Sequence, residues 1–220
     1  MKKIVLSSFV VASLLFSIDK TAAAQTLALA AKTEKVAKAA ANTYQIDPAQ
    51  SKVAWNGKKV AGEHNGTINI AAGSFQVAKN KVVGGTVEID MNSITNLDIT
   101  DKEYNQKLVG HLKSDDFFSA EKHPKATFKI TSLTPIKGAK AGAANYTAKG
   151  NLTIKGISNP VSFPVNVALK GTTITATSDA VVLDRSKWDI RYGSKTFFAN
   201  IGDKAIHDDF TVQFNVVAKK

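Results

Sequence analysis

The sequence predicts an all-β domain, and three observations lead to it. Apolar and polar residues alternate with a period of two over most of the chain from Tyr44 onward, the mark of strands with one dry and one wet face. Turn signals separate these runs at short, regular intervals, as in an antiparallel sandwich or barrel. A single stretch, residues 101–118, breaks the pattern with helical spacing.

The cleanest strand begins at Tyr146: Ala148, Gly150, Leu152 and Ile154 share its face, while Thr147, Lys149, Asn151, Thr153 and Lys155 take the other. After a turn at Gly156–Pro160 the apolar phase moves to Val161, Phe163, Val165, Val167 and Leu169, and Lys170-Gly171-Thr172 turns the chain into Thr173–Ser178. Ala126–Ser132, Val83–Met91 and Phe210–Val217 carry the same signature, and Val53–Trp55 and Thr67–Ile70 are shorter examples. Pro164 inside a strong strand predicts an edge position or a bulge.

In the helical stretch, Thr100 and Glu103 have capping-box spacing. Tyr104, Leu108 and Leu112 follow at four-residue intervals as one apolar stripe. Ser114-Asp115-Asp116 ends the helix before Phe117 and Phe118. So short a helix is marginal alone, so it must pack on the sheet or across a barrel mouth. Continuous alternation favours one closed sheet; at about eight strands such a barrel is either filled or holds one small ligand.

The front of the chain reads differently. Residues 1–24 have the form of a secretory signal peptide: Lys2-Lys3, an apolar run from Ile4 to Ile18, then Ala22-Ala23-Ala24. That run is shorter than the roughly 20 residues a bilayer-spanning helix needs, so no stable membrane span is expected and the mature protein should be periplasmic or secreted. Residues 25–43, rich in Ala and Lys, read as a disordered linker, and residues 44–220 as the domain. With no cysteine, disulfides and thiol-linked lipid anchoring are excluded, and burial alone must hold the fold.

The net charge of +11 does not indicate nucleic-acid binding. From Tyr44 onward the cations are lysines except Arg185 and Arg191, scattered singly along alternating strands. Nucleic-acid readers cluster their charge and favour the bidentate reach of Arg.

Motif spacing gives little support to catalysis or metal binding. His64, beside Glu63 between glycines, lacks an identifiable nucleophile to serve as an acid–base residue, and is read as a histidine bonding backbone at a bend. His207-Asp208-Asp209 alternate faces on a strand and cannot converge on a metal without a bulge. No H-x-H, H-E-x-x-H or G-x-S-x-G spacing is present. Neither a catalytic residue nor a metal ligand is assigned.

The order of several motifs resembles the YceI-like family. They are Gly62-Glu63-His64-Asn65-Gly66, Leu112-Lys113-Ser114-Asp115-Asp116-Phe117-Phe118, and His123-Pro124-Lys125-Ala126-Thr127-Phe128. Gly150-Asn151-Leu152-Thr153-Ile154-Lys155-Gly156 with Asn159-Pro160-Val161, Asp184-Arg185-Ser186-Lys187-Trp188, and Ile201-Gly202-Asp203 complete the set. The resemblance spans about residues 44–217. Two departures stand out: Trp188-Asp189 replaces an aromatic–glycine pair, and the stretch 191–198 is longer than in familiar members.

The resemblance implies a single antiparallel lipocalin-like β-barrel with a short helix at one mouth, exported, binding a polyisoprenoid or other long-chain amphiphile without chemistry. The implied ligand is a bound lipid, with no cofactor; a homodimer is compatible with it. Trp55, Ile68, Phe128, Ile130, Leu152 and Ile154 are the expected cavity positions on the strands. Leu112, Phe117, Phe118, Trp188 and Phe197 are those expected around the mouth. Arg185, beside Trp188, is the candidate for a lipid headgroup, against an internal ion pair with Asp184, Asp189 or Asp203 or stacking on Trp188. The rival readings are a filled barrel serving as a stress-related structural or partner-binding domain, and an acid–base hydrolase using His64 or His207.

Overall fold

A computed structural model describes residues 41–220. The expected signal peptide, and the linker as far as residue 40, lie outside the described residues. The linker expectation fails at its end, because the first strand, β1 (Asn42–Ile46), already includes Asn42 and Thr43. The chain continues through β2 (Lys52–Lys59), β3 (Gly62–Ala78), β4 (Lys81–Asp90), the helix α1 (Lys102–Lys113), β5 (Lys125–Pro135) and β6 (Tyr146–Ile154). It ends with β7 (Ile157–Lys170), β8 (Thr173–Thr177), β9 (Val181–Asp184) and β10 (Ile206–Lys219).

Pairing is antiparallel throughout and closes on itself: β2 to β8 run in order, and β10 pairs with both β8 and β2. The result is a ring of eight strands, a barrel. Tight turns set its registers. Lys79-Asn80 between β3 and β4, and Lys155-Gly156 between β6 and β7, all have positive φ, as a two-residue type I′ turn demands.

Two staves of the barrel are broken in the middle. β1 and β2 both lie between β3 and β10, separated by a 3₁₀ turn at Pro48–Gln50 that Asp47 caps through the Ala49 N–H. β8 and β9 both pair with β10, but only β8 also pairs with β7. Beside β9 the wall therefore has a seam, and Ile157–Val165 pair on the β6 side alone. Val165 accepts from Asn145 on the β6 side, so even-numbered residues of β7 face the seam. Pro160 and Pro164, which have no N–H to leave unpaired, stand at two of those even positions.

Bulges keep apolar faces inward along the long strands. On β3 the buried residues are Ile68 and Ile70 before a register shift near Ala71, and Phe75 and Val77 after it. A one-residue insertion reverses the alternation, so the whole strand stays amphipathic in three dimensions despite a broken pattern in sequence. A comparable shift in β5, between Ile130 and Ser132, turns Leu133 inward.

The helix departs from expectation at its cap and at one position of its stripe. Asp101, not Thr100, accepts hydrogen bonds from Glu103 and Tyr104 N–H (2.9 and 3.0 Å), because its side chain is one residue closer to the first free donors. Of the predicted stripe, Leu112 is buried and Leu108 packs behind it, while Tyr104 is exposed. Apolar packing divides into one cluster around Tyr44, Phe75, Ile174 and Val216, and another at the helix end around Ile68, Leu112, Phe117, Leu152 and Ile190.

Candidate functional site

The barrel is hollow. An apolar cavity of about 250 Å³ runs inside it. Its walls include Ile206 and Val216 at opposite ends of β10, on the order of 30 Å apart along a strand. A long, narrow space suits a chain better than a compact ligand. Midway, Phe163 reaches across to Phe128 and Phe214, with ring centroids 5.3 and 5.6 Å apart.

Nine of the expected lining residues do line this space: Trp55, Ile68, Phe128, Ile130, Leu152 and Ile154 from the strands, and Leu112, Phe117 and Phe118 from α1 and the turns after it. Strand alternation places the first six. The last three reach the mouth because Ser114 caps α1 and the chain folds back, with Phe118 N–H donating to Leu112 O (3.1 Å).

Two of the expected lining residues do not. Trp188 is buried (1 % exposed) in the adjoining core, where its Nε1–H donates to the Leu152 carbonyl at 3.0 Å. Phe197 lies off the cavity, under the Arg191 guanidinium, 4.9 Å from its centroid. The 191–198 stretch forms turns, so its aromatics do not obey strand alternation.

Arg185 lines the cavity rim but is not free to bind a headgroup. Its Nε donates to His207 O, Nη1 to Ile190 O and Tyr192 O, and Nη2 to Ile206 O, at 2.8–3.1 Å. Asp208 Oδ1 lies 3.3 Å from Nη2; the expected partners Asp184, Asp189 and Asp203 do not supply this pair. Burial lowers the Arg185 pKa, and the Asp208 and Asp184 charges act against that. With this many donors engaged, the guanidinium ties the 185–192 segment to the start of β10.

His64 is not the expected backbone-bonding histidine at a bend; it lies within β3 and its ring meets a side chain. It points inward from β3 and lines the cavity, with Nδ1 2.7 Å from Asp98 Oδ2. Burial works against ionisation of Asp98. Hydrogen bonds from Asn65 N–H, His64 and Asn96 outweigh it and hold the carboxyl down at about 2. Asp98 lies in the irregular loop before α1, where no periodicity signals it.

Among the described residues, the cavity is lined by no Asp, Glu, Ser, Thr, Tyr or Cys, and no group of His, Asp and Glu side chains is placed to hold a metal. Such a site can bury a hydrocarbon chain.

A closed antiparallel barrel around an apolar cavity, with a helix at its mouth, is the architecture of a small-molecule binding protein. Residues 44–218 match the YceI-like domain, and the chain belongs to that family. It is 30% identical over 106 residues to a UPF0312 protein of Shewanella denitrificans, covering 48% of this chain and 50% of that one. With a UPF0312 protein of Photorhabdus laumondii the identity is 26% over 155 residues, 70% of this chain and 74% of that one. The chain thus spans about half the length of the Shewanella relative.

Among solved structures it resembles BcnA of Burkholderia cenocepacia, at 27% identity and a TM-score of 0.59 over 79% of this chain and 99% of that one. A polyisoprenoid binding domain from Saccharophagus degradans, implicated in plant cell wall breakdown, shares the fold at 17% identity. Its TM-score is 0.56 over 80% of this chain and 97% of that one.

Proposed function

We propose that this chain is a non-catalytic carrier or store of a polyisoprenoid or similar long-chain amphiphile in the bacterial periplasm. The observation that carries the reading is the elongated cavity with its apolar walls. Each methylene moved into such a space from water gains about 0.8 kcal/mol, so an extended tail binds with few polar contacts. Family membership, and a fold shared with a polyisoprenoid binding domain, support the same conclusion. The hollow interior speaks against a filled structural barrel. Export rests on the reading of residues 1–24 as a leader.

The test is to purify the exported protein without detergent, extract it with organic solvent, and weigh the extract by mass spectrometry. A stoichiometric long-chain lipid is expected, and Leu152→Trp or Ile154→Trp, filling the cavity, should abolish it in a folded protein. An empty extract from wild type, together with unaltered cellular function in the plugged variants, would sink the carrier reading. Recovery of the protein in the periplasmic fraction tests its location.

A further inference from the structure

With Arg185 tied to backbone carbonyls, something else must meet the polar end of whatever fills the barrel. Apart from Arg185, the ionisable groups on the cavity wall are Lys58, Lys59, His64 and His207, all at the mouth. None is acidic.

Strand geometry sorts these groups. Odd positions of β2 turn inward: Val53, Trp55, Gly57 and Lys59 all line the cavity. Lys58, one step out of phase, pairs with Glu63 at 3.7 Å. Gly57 stands opposite His64 on one side and Phe210 on the other, and Lys59 follows on the same face, opposite Ile206 and Gly62. A Cβ added at Gly57 would meet nothing within 4 Å, so this inner row has a space between its neighbours. Lys59 makes no ion pair among the described residues. Asp98 holds His64 Nδ1 and receives Asn65 N–H and Asn96 Nδ2 as well, which leaves His64 Nε2 as the open ring position.

We propose that the space over Gly57 is a headgroup seat for an anionic amphiphile, a phosphate or carboxylate on a long tail, held by Lys59 Nζ and, when the ring carries its second proton, by the Nε2–H of His64, with His207 on the rim. This rests on the carrier reading and narrows its ligand class. A cation that is not already paired attracts an anion, and the low dielectric of the adjoining cavity strengthens that attraction. The Asp98 charge faces the far side of the imidazole, where three donors compensate it.

The test compares three probes with one tail, dodecanol, dodecanoate and dodecyl phosphate, by calorimetric titration into the full chain stripped of lipid. Wild type should bind at least one anionic probe about tenfold more tightly than dodecanol. Whichever of phosphate and carboxylate shows the gain names the head. Lys59→Gln should remove most of that gain and leave dodecanol affinity unchanged, whereas Lys102→Gln, on α1, should change neither. Gly57→Leu, checked for folding by its melting curve, should exclude the anionic probes. Equal affinity for all three probes overturns the seat while leaving the carrier intact, as does a Lys59→Gln variant that keeps the preference. Failure of every probe to bind overturns both.

Discussion

The imidazole of His64 and the carboxylate of Asp98 meet at 2.7 Å, Nδ1 to Oδ2, and join the inner face of β3 to the loop that leads into α1. Asp98 also accepts from the Asn65 N–H at 2.8 Å, so one carboxylate fastens loop, side chain and backbone together. The orientation of His64 at the cavity mouth depends on it.

This contact makes stability depend on acid. The Asp98 pKa falls from its ordinary 3.8 to about 2 in the fold. A carboxyl depressed by folding adds stability above its unfolded pKa and loses it as pH falls through the folded value. Thermal melts should therefore show a component lost between about pH 4 and pH 2, worth about 1–2 kcal/mol after allowance for solvent screening. Asp98→Asn should lower the neutral-pH stability by that amount and flatten this part of the acid limb. An unchanged limb would show that the pair contributes nothing.

Gly66 lies where that loop crosses β3. A Cβ there would overlap the Thr95 carbonyl oxygen and press on Trp55 Nε1, which itself donates to Thr95 O at 3.0 Å. Gly66→Ala should cost about 1–3 kcal/mol, the usual penalty of overpacking, measurable by urea titration. A wild-type midpoint would show that the loop yields freely.

Arg185 should tolerate no substitution, including the one that keeps its charge. Lysine offers a compact point charge where four carbonyls at fixed positions require a planar fork. Arg185→Lys and Arg185→Met should each lose about 3–5 kcal/mol, since either leaves buried polar groups unpaired. Amide exchange should rise first in residues 190–207. A stable lysine variant would contradict the role assigned to the fork.

Trp188 offers a milder test. Trp188→Phe keeps most of the buried ring and removes the bond to Leu152 O, so a loss of about 1–2 kcal/mol is expected. Because Trp188 stands off the cavity wall, lipid occupancy by mass spectrometry should be unchanged. A fall in occupancy would place it on the wall.

How much of this was legible in the sequence follows from the range of the interactions involved. Alternation over Tyr146–Ile154 and Val161–Leu169 identifies inward residues directly, since side-chain direction on a strand is local. Bulges defeat the same reading on β3, where the phase change at Ala71 is set by pairing with β4. Arg185 and Trp188 escaped because their partners, Ile206 and Leu152, are 21 and 36 positions away. Gly57 and Lys59 gave no motif; they gain meaning only beside His64 and Phe210, which other strands bring to them.

The seam between β7 and β9 gives the two halves of the tube different mechanics. Around the helix-free end, backbone ladders run unbroken from β7 through β8 to β10, and girth there is fixed like a hoop. Towards the mouth the hoop is cut, and the edges are spanned by side chains such as Asn159, whose Nδ2 donates to Lys187 O at 2.8 Å. Prolines at 160 and 164 deny that edge the donors to zip shut. The lower half therefore sets one calibre for every guest, while the slit upper half can widen by breaking a few polar contacts and no ladder. For the guest proposed above, this construction accommodates variation near the head more readily than at the tip of the tail.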